Sequence, residues 1–326
     1  MGVYLDHAAS TPLRPEAAAA WARAHELTGN PSSVHGHGRA ARALLEEARE
    51  RVAAALGAHP TEVVFTAGGT ESINLALRGM AGADAGRRTG TPAADGRRDV
   101  VVVGAAEHAA TLDTAAALAV AGAQLRIAPV DSVARVRLDA LAEILDAARG
   151  RVAVLGLLWA NNEVGTIERV AGVAALAAEF DAPLHWDAVA AVGRVPVDFA
   201  ASGATALSVA GHKLGAPAGT GALLVRRGAR IAEAITGGGQ QPVRSGTVDV
   251  AGAASFAAAL ELAVADLEAE AARLGERADR LRRGLLDAVP DVELSGDPEH
   301  RLPGLVHVTI PGVEGESLVL LLDRGG

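Results

Sequence analysis

Cysteine is absent from all 326 residues. That excludes disulfides, cysteine metal sites and any cysteine nucleophile within these residues, and it fits a reducing compartment. Aromatic residues make up only 2% of the chain, while half of it is hydrophobic with alanine supplying much of that half. Such a core favours helices and small-residue packing. No apolar run reaches the ~18 residues that a membrane span needs. Runs of Lys or Arg are also missing and the net charge is −9, which argues against a nucleic-acid partner. The start MGVYLDHAAS has no basic segment followed by an apolar one, so no signal peptide is expected and the location is read as cytoplasmic.

The most informative scarcity is lysine. Lys and Arg together number 30, and Lys213 is the single lysine. Where a plain positive charge suffices the chain uses Arg, so a lone Lys marks a place where a guanidinium will not serve. An ammonium can lose its proton, attack a carbonyl and form a Schiff base, which a guanidinium cannot. Lys213 also lies between Gly211 and Gly215, where the backbone can approach a ligand closely. A chance survivor on a solvated surface is the plain alternative.

Along the chain, VYL (3–5) reads as a short strand and a helix is expected to begin near Pro12. A Gly-rich loop (29–38) leads to an Arg/Glu-studded helix ending at Leu56. Apolar runs EVVFT, VVVVG, QLRIAP, VAVLGLLWA, PLHWD, ALSVA and TGALLV then alternate with helical stretches. Continuous apolar strands separated by helices imply a parallel sheet covered on both faces. Residues 81–98 are low-complexity and read as a mobile surface insertion. A long helix is expected over 251–289, followed by strands VELSG and LVHVTI and a helix at ESLVLLLD. The fold class is therefore α/β with a smaller α+β unit.

In doubly wound sheets ligands collect at the carboxyl ends of strands. AGGTES (67–72) places Gly69 and Thr70 at a helix start after a strand, where free amides and the positive helix end suit a phosphate; a tight turn with a Thr cap is the alternative. AEHAAT puts Glu107 and His108 after the next strand, where a ring could stack on a flat cofactor or simply cap a helix. WANNEVG (159–165) ends another strand with two amides. Asp187 closes an apolar strand, and a carboxylate there is costly unless paired; a protonated pyridine nitrogen would suit it, and a helix N-cap is the alternative. GGGQQPVRSGT (237–247) is a second phosphate contact or a flexible connector. HGHG (35–38) has no carboxylate or third His at a suitable spacing, so no metal site is expected. A phosphate cradle, a stacking His, an acid for a ring nitrogen and a unique Lys together are what pyridoxal phosphate requires.

These stretches, with YLDHAASTP, GNPSSVHGHGRAAR and LPGLVHVTIPGVEGESL, resemble the cysteine desulfurases, class V aminotransferase members of the fold-type I pyridoxal-phosphate enzymes. The resemblance covers essentially the whole chain. It implies a mostly parallel seven-stranded sheet in a large domain (13–255), and a small domain from 1–12 and 256–326. It makes Lys213 the Schiff-base lysine and proton carrier, Asp187 the partner of the ring nitrogen, and His108 the stacking group and an acid/base. Asn162 would lie beside the ring hydroxyl or substrate, and Gly69, Thr70 and His212 would bind the phosphate. Thr247 would contact the phosphate of the other subunit, implying a homodimer. The implied reaction is conversion of L-cysteine to L-alanine with sulfur passed to a persulfide. Its acceptor would be a protein of iron–sulfur cluster assembly, tRNA thiolation or a biosynthetic route.

Four departures accompany the resemblance, one being the loop QQPVRSGT, a residue short of the family pattern. The family's DAxQ reads Asp187-Ala188-Val189-Ala190, so a cofactor-bonding Gln is Ala190. The family's SGHK begins with Ala210 in place of a phosphate-binding Ser. Each loss removes a hydrogen bond worth ~0.5–1.5 kcal/mol. The sequence also stops at LLLDRGG, before the loop that carries the family's nucleophilic Cys, so a C-terminally incomplete small domain is expected, with the apolar residues 318–322 left uncovered. A lyase or transaminase that needs no Cys, and a non-catalytic dimerisation partner, are the two alternatives.

Overall fold

Runs such as VVVV and VAVLGLL have no polar face to offer water, so their strands must be covered on both sides. The computed structural model, which describes residues 3–83 and 98–325, arranges them so. In chain order the first part comprises α1 (Pro15–His25), α2 (Gly36–Ala55), β1 (Val63–Thr66), α3 (Gly69–Ala83), β2 (Val100–Gly104), α4 (Ala109–Val120) and β3 (Gln124–Ala128). Next come α5 (Leu138–Ala147), β4 (Val152–Leu158), α6 (Val170–Glu179), β5 (Leu184–Asp187), β6 (Ala206–Ala210) and β7 (Gly221–Val225). The remainder is α7 (Val250–Ala265), α8 (Leu267–Ala288), β8 (Glu293–Leu294), β9 (Val308–Thr309) and α9 (Gly315–Gly325).

Seven strands form one sheet in the order β1-β7-β6-β5-β4-β2-β3, parallel except for the two pairings of β7. The exception has a local cause. Only ten residues (211–220) join β6 to β7, fewer than the dozen or so a parallel crossover needs. Successive side chains go to opposite faces. Val101, Val103 and Val154 pack with Ile73 and Leu77 of α3, while Val100, Val102 and Leu155 join Leu45 of α2, Leu141 of α5, Val173 of α6 and Phe256 of α7. On β5, Leu184 and Trp186 belong to the second face. His185 and Asp187 therefore point to the face of α3.

Several local expectations change. Residues 3–5 form no strand; Val3 and Leu5 are exposed. The first helix starts at Pro15, whose fixed φ suits a first helical position. The helix expected over 251–289 is two helices bent by 69°. The almost wholly apolar α7 is buried against α1 and α2, whereas the Arg/Glu-rich α8 must leave the core to keep its charges wet. The 255/256 division falls inside α7. Among the described residues no single helix is long and apolar enough to cross a membrane; α7 and α8 pass that test only as this bent pair. Most of the 81–98 insertion lies outside the described residues.

The small α+β unit pairs β8 with β9 antiparallel. It docks through a nearly buried Arg135–Asp297 ion pair at 2.9 Å and through backbone bonds from Leu302 to Gly165 and Ile167 to His300. On α9, Val319, Leu320, Leu321 and Leu322 are all more than half exposed.

Candidate active site

The carboxyl ends of β1, β2, β4, β5 and β6 open on one edge of the sheet, and a cavity of about 390 Å³ lies there. Its walls include Gly69, Thr70, His108, Asn162, Asp187, His212 and Lys213. Seven of the residues singled out in the sequence, from five separate strand ends, are thus brought together. The eighth, Thr247, is exposed on the 237–249 loop and does not line it.

One wall is the first turn of α3. Gly68 takes φ +140°, a conformation closed to side chains, and a Cβ on Gly69 would stand 2.7 Å from Val189 Cγ2. Glu71 braces this turn by accepting from the Ala67 N–H at 2.5 Å and from Arg244 Nε at 2.9 Å. The Gly69 and Thr70 amides have no acceptor among the described residues, leaving them free at a positive helix end.

Asp187 is 2% exposed. Its Oδ1 accepts from the Val189 N–H at 3.0 Å, and no ion pair reaches it among the described residues. Burial raises its pKa, partly offset by the Val189 N–H and by His108 and Lys213. Beneath it His185 is fully buried, and burial pushes its pKa down to about 3, so it stays neutral; its Nε2 lies 2.7 Å from Ser208 Oγ.

Lys213 Nζ makes no hydrogen bond or ion pair among the described residues. Burial lowers its pKa, Asp187 and Asp6 oppose this, and Arg194 adds to it. Each step toward neutrality gives the amine more nucleophilic character. His212 is likewise lowered, by burial and then by Lys213. The turn holding both is strapped by the N-terminal segment: the Thr11 amide and hydroxyl donate to the His212 carbonyl at 2.9 and 3.0 Å, and Arg14 donates to the carbonyls of Gly215 and Leu214. His108 caps α4, its Nδ1 accepting from the Ala110 N–H at 3.0 Å, which leaves Nε2 for a ligand. His35 caps α2 in the same way, and no group of three metal-ligating side chains occurs among the described residues.

Three contributors had weak sequence signals. Glu107, read only as the neighbour of His108, is buried with its Oε2 unpartnered. The apolar walls Ile73, Leu158 and Val189 belong to ordinary hydrophobic runs. The strap from residues 10–14 bonds the carbonyls of His212 and Leu214, either side of Lys213, across some 200 positions.

A cavity holding the chain's single lysine thus lies at the strand ends of a mostly parallel α/β sheet, where ligands of doubly wound folds collect. The aminotransferase class-V family model matches residues 3–326, and the chain belongs to that family of pyridoxal-phosphate-dependent transferases. An IscS-like cysteine desulfurase of Mycobacterium tuberculosis is 47% identical, over 99% of this chain and 81% of its own length. Cysteine desulfurase IscS of Dictyoglomus turgidum is 39% identical over 99% of this chain and 79% of its own. Among solved structures, a NifS-like protein superposes with TM-score 0.91 at 33% identity, covering all of this chain and 86% of that one. DndA from Streptomyces lividans superposes at 0.82 with 30% identity, covering 99% and 88%. The chain thus spans about four fifths of these curated relatives' length.

Proposed function

We propose that the chain holds pyridoxal phosphate in this cavity and acts on L-cysteine as a desulfurase, in the cytoplasm and as a homodimer. The single observation that carries the reading is the convergence of Lys213, Asp187 and the free α3 amides on one cavity. The residues fit the group. Asp187 is a buried carboxylate lacking a cation, the helix start offers unused donors, Gly69 leaves the space a Cβ would fill, and the volume suits a cofactor of this size.

Bound there, pyridoxal phosphate supplies an electron sink for the substrate's α-carbon. Lys213 would be its attachment point and would carry a proton at the substrate's Cα; Asp187 would pair with a protonated ring nitrogen. Gly69, Thr70 and His212 would hold the phosphate, His108 would stack on the ring and serve as acid/base, and Asn162 would lie beside the ring hydroxyl or the substrate. The exposed position of Thr247 supports its reaching the phosphate of a second copy. Desulfuration breaks the Cβ–Sγ bond, leaving its electron pair on Cβ, which takes a proton to give alanine, and forms an S–S bond to an attacking thiolate. With no cysteine in these residues, the thiol comes from outside them.

Borohydride reduction of the chain incubated with pyridoxal phosphate tests the reading. One lysine means one side-chain address. A cofactor mass on the peptide containing Lys213, and alanine formed from cysteine only when thiol is added, are expected. An unlabelled Lys213 sinks the cofactor assignment; alanine or pyruvate formed without thiol would move the reading to a lyase or transaminase.

Ala190 lines the cavity and Ala210 is fully buried beneath the α3 turn, with Cβ 3.6 Å from where a Gly69 Cβ would stand. Ala190→Gln should therefore regain a cofactor hydrogen bond and tighten pyridoxal phosphate binding by roughly two- to tenfold. Fluorescence titration of the two proteins checks this.

A further inference from the structure

The ladder between β2 and β4 ends at Val103 opposite Gly156. Beyond it the turn bearing His108 and the turn bearing Asn162 run side by side, and side chains must set their spacing. Asn161 is placed to do so. Its Nδ2 donates to the Ala106 carbonyl at 3.1 Å, two residues before His108. Its Oδ1 accepts from the Glu163 and Val164 amides at 2.9 and 3.0 Å, closing the turn around Asn162. Its own N–H donates to the Thr166 carbonyl at 2.8 Å, and its carbonyl accepts from Gly165 at 3.1 Å. The Asn162 side chain, by contrast, has no partner among the described residues and faces the cavity.

We infer that Asn161 is a positioning residue that sets the gap between His108 and Asn162 across the cavity, acting on a bound ring and substrate through those two side chains. The amide is suited to this because it offers a donor to one turn and an acceptor to the other at the same time. An aspartate lacks the donor and a serine lacks the reach. The second turn is anchored again on its far side. Thr166 Oγ1 donates to the Val133 carbonyl at 2.5 Å and accepts from the Asp297 N–H at 3.0 Å. Asn161 therefore ties the His108 turn to a loop already fixed to the small unit.

The inference rests on the cofactor reading for its consequence but not for its geometry, so two measurements are paired. Asn161→Ser keeps an acceptor for the local turn and loses the bond to Ala106; Asn161→Ala loses both. In the cofactor-free protein, hydrogen exchange over 105–110 should rise in both variants, while exchange over 161–168 should rise only with alanine. With pyridoxal phosphate, both should weaken binding by about two- to tenfold. In a His108→Ala, Asn162→Ala background, Asn161→Ser should have almost no further effect, because the residues through which it acts are gone. Unchanged exchange over 105–110 in both variants overturns the inference. So does an affinity loss that adds in full to that background. If the unsubstituted chain fails to bind pyridoxal phosphate, the cofactor reading falls and the exchange arm alone decides the role of Asn161.

Discussion

Asp187→Asn is expected to weaken pyridoxal phosphate binding by roughly 30-fold or more, the scale for removing one member of a buried, hydrogen-bonded charge pair, while stabilising the cofactor-free protein at neutral pH. The two effects have opposite signs for one reason. In the free chain the Asp187 carboxylate is 2% exposed, with one N–H donor and no cation bonded to it. Burial raises its pKa above the ordinary aspartate range. A raised folded-state value means that the stability contribution is complete below the ordinary aspartate pKa and declines as pH climbs from there toward the raised value, by at most about 1.4 kcal/mol per pH unit. Asparagine still accepts from Val189 and carries no charge to desolvate, so the decline disappears. Once a protonated ring nitrogen is present the carboxylate has its counter-charge, and asparagine cannot replace it. Titration of the cofactor's visible band gives the affinity, and urea unfolding across pH gives the stability. A variant that binds as tightly as the parent removes Asp187 from the site.

Glu107→Gln is the second large effect, and it appears only in the pH dependence. Glu107 stands at the end of β2 with Oε2 sealed from water and without a partner. Gly104 faces it, and a Cβ there would lie 2.6 Å from Oε1. Burial raises its pKa well above the usual glutamate range; the Leu158 N–H opposes this, and Asp187 and Glu168 push it further up. Glu168 differs because, although burial raises it too, it accepts from the Val136 and Arg169 amides and feels Arg135 and Arg169. Glu107 has no such cation, so burial favours its protonated form more in the folded chain than in the unfolded one. The parent should lose stability relative to Glu107→Gln as pH rises above the ordinary glutamate pKa, by up to about tenfold in the folding ratio per pH unit. Below that range the two proteins should coincide. Parallel curves from acid to neutral pH would show that the carboxyl is ionised when folded. Because glutamine is neutral and isosteric, cofactor affinity at neutral pH should stay within a few-fold.

Much of the site was legible because its residues stand where chemistry and fold coincide. The lone lysine, the glycines before α3 and Asp187 at the end of an apolar strand are visible without coordinates, and all line one cavity. They are legible because polar residues at buried strand ends are costly and need a reason. Asn161 was not, since two adjacent amides look alike until one is seen to spend every bond on the loops and the other none. Glu107 was hidden in the same way, because a carboxyl beside a histidine in a turn reads as solvated. Its burial, with the Leu158 N–H at the end of β4 as its hydrogen-bond donor, is a tertiary fact.

By itself the sequence determined the α/β class, through apolar runs that can only be buried on both faces, and the chemistry open to the chain, through one lysine and no cysteine. The tertiary structure decided the reversal of β7, the 69° break after α7 and the strap from the N-terminal segment onto the turn of Lys213. It also decided which acids are desolvated. Local pattern specifies which face of an element is apolar. Which elements meet, and hence which charges lose their water, depends on contacts between residues as many as 252 positions apart.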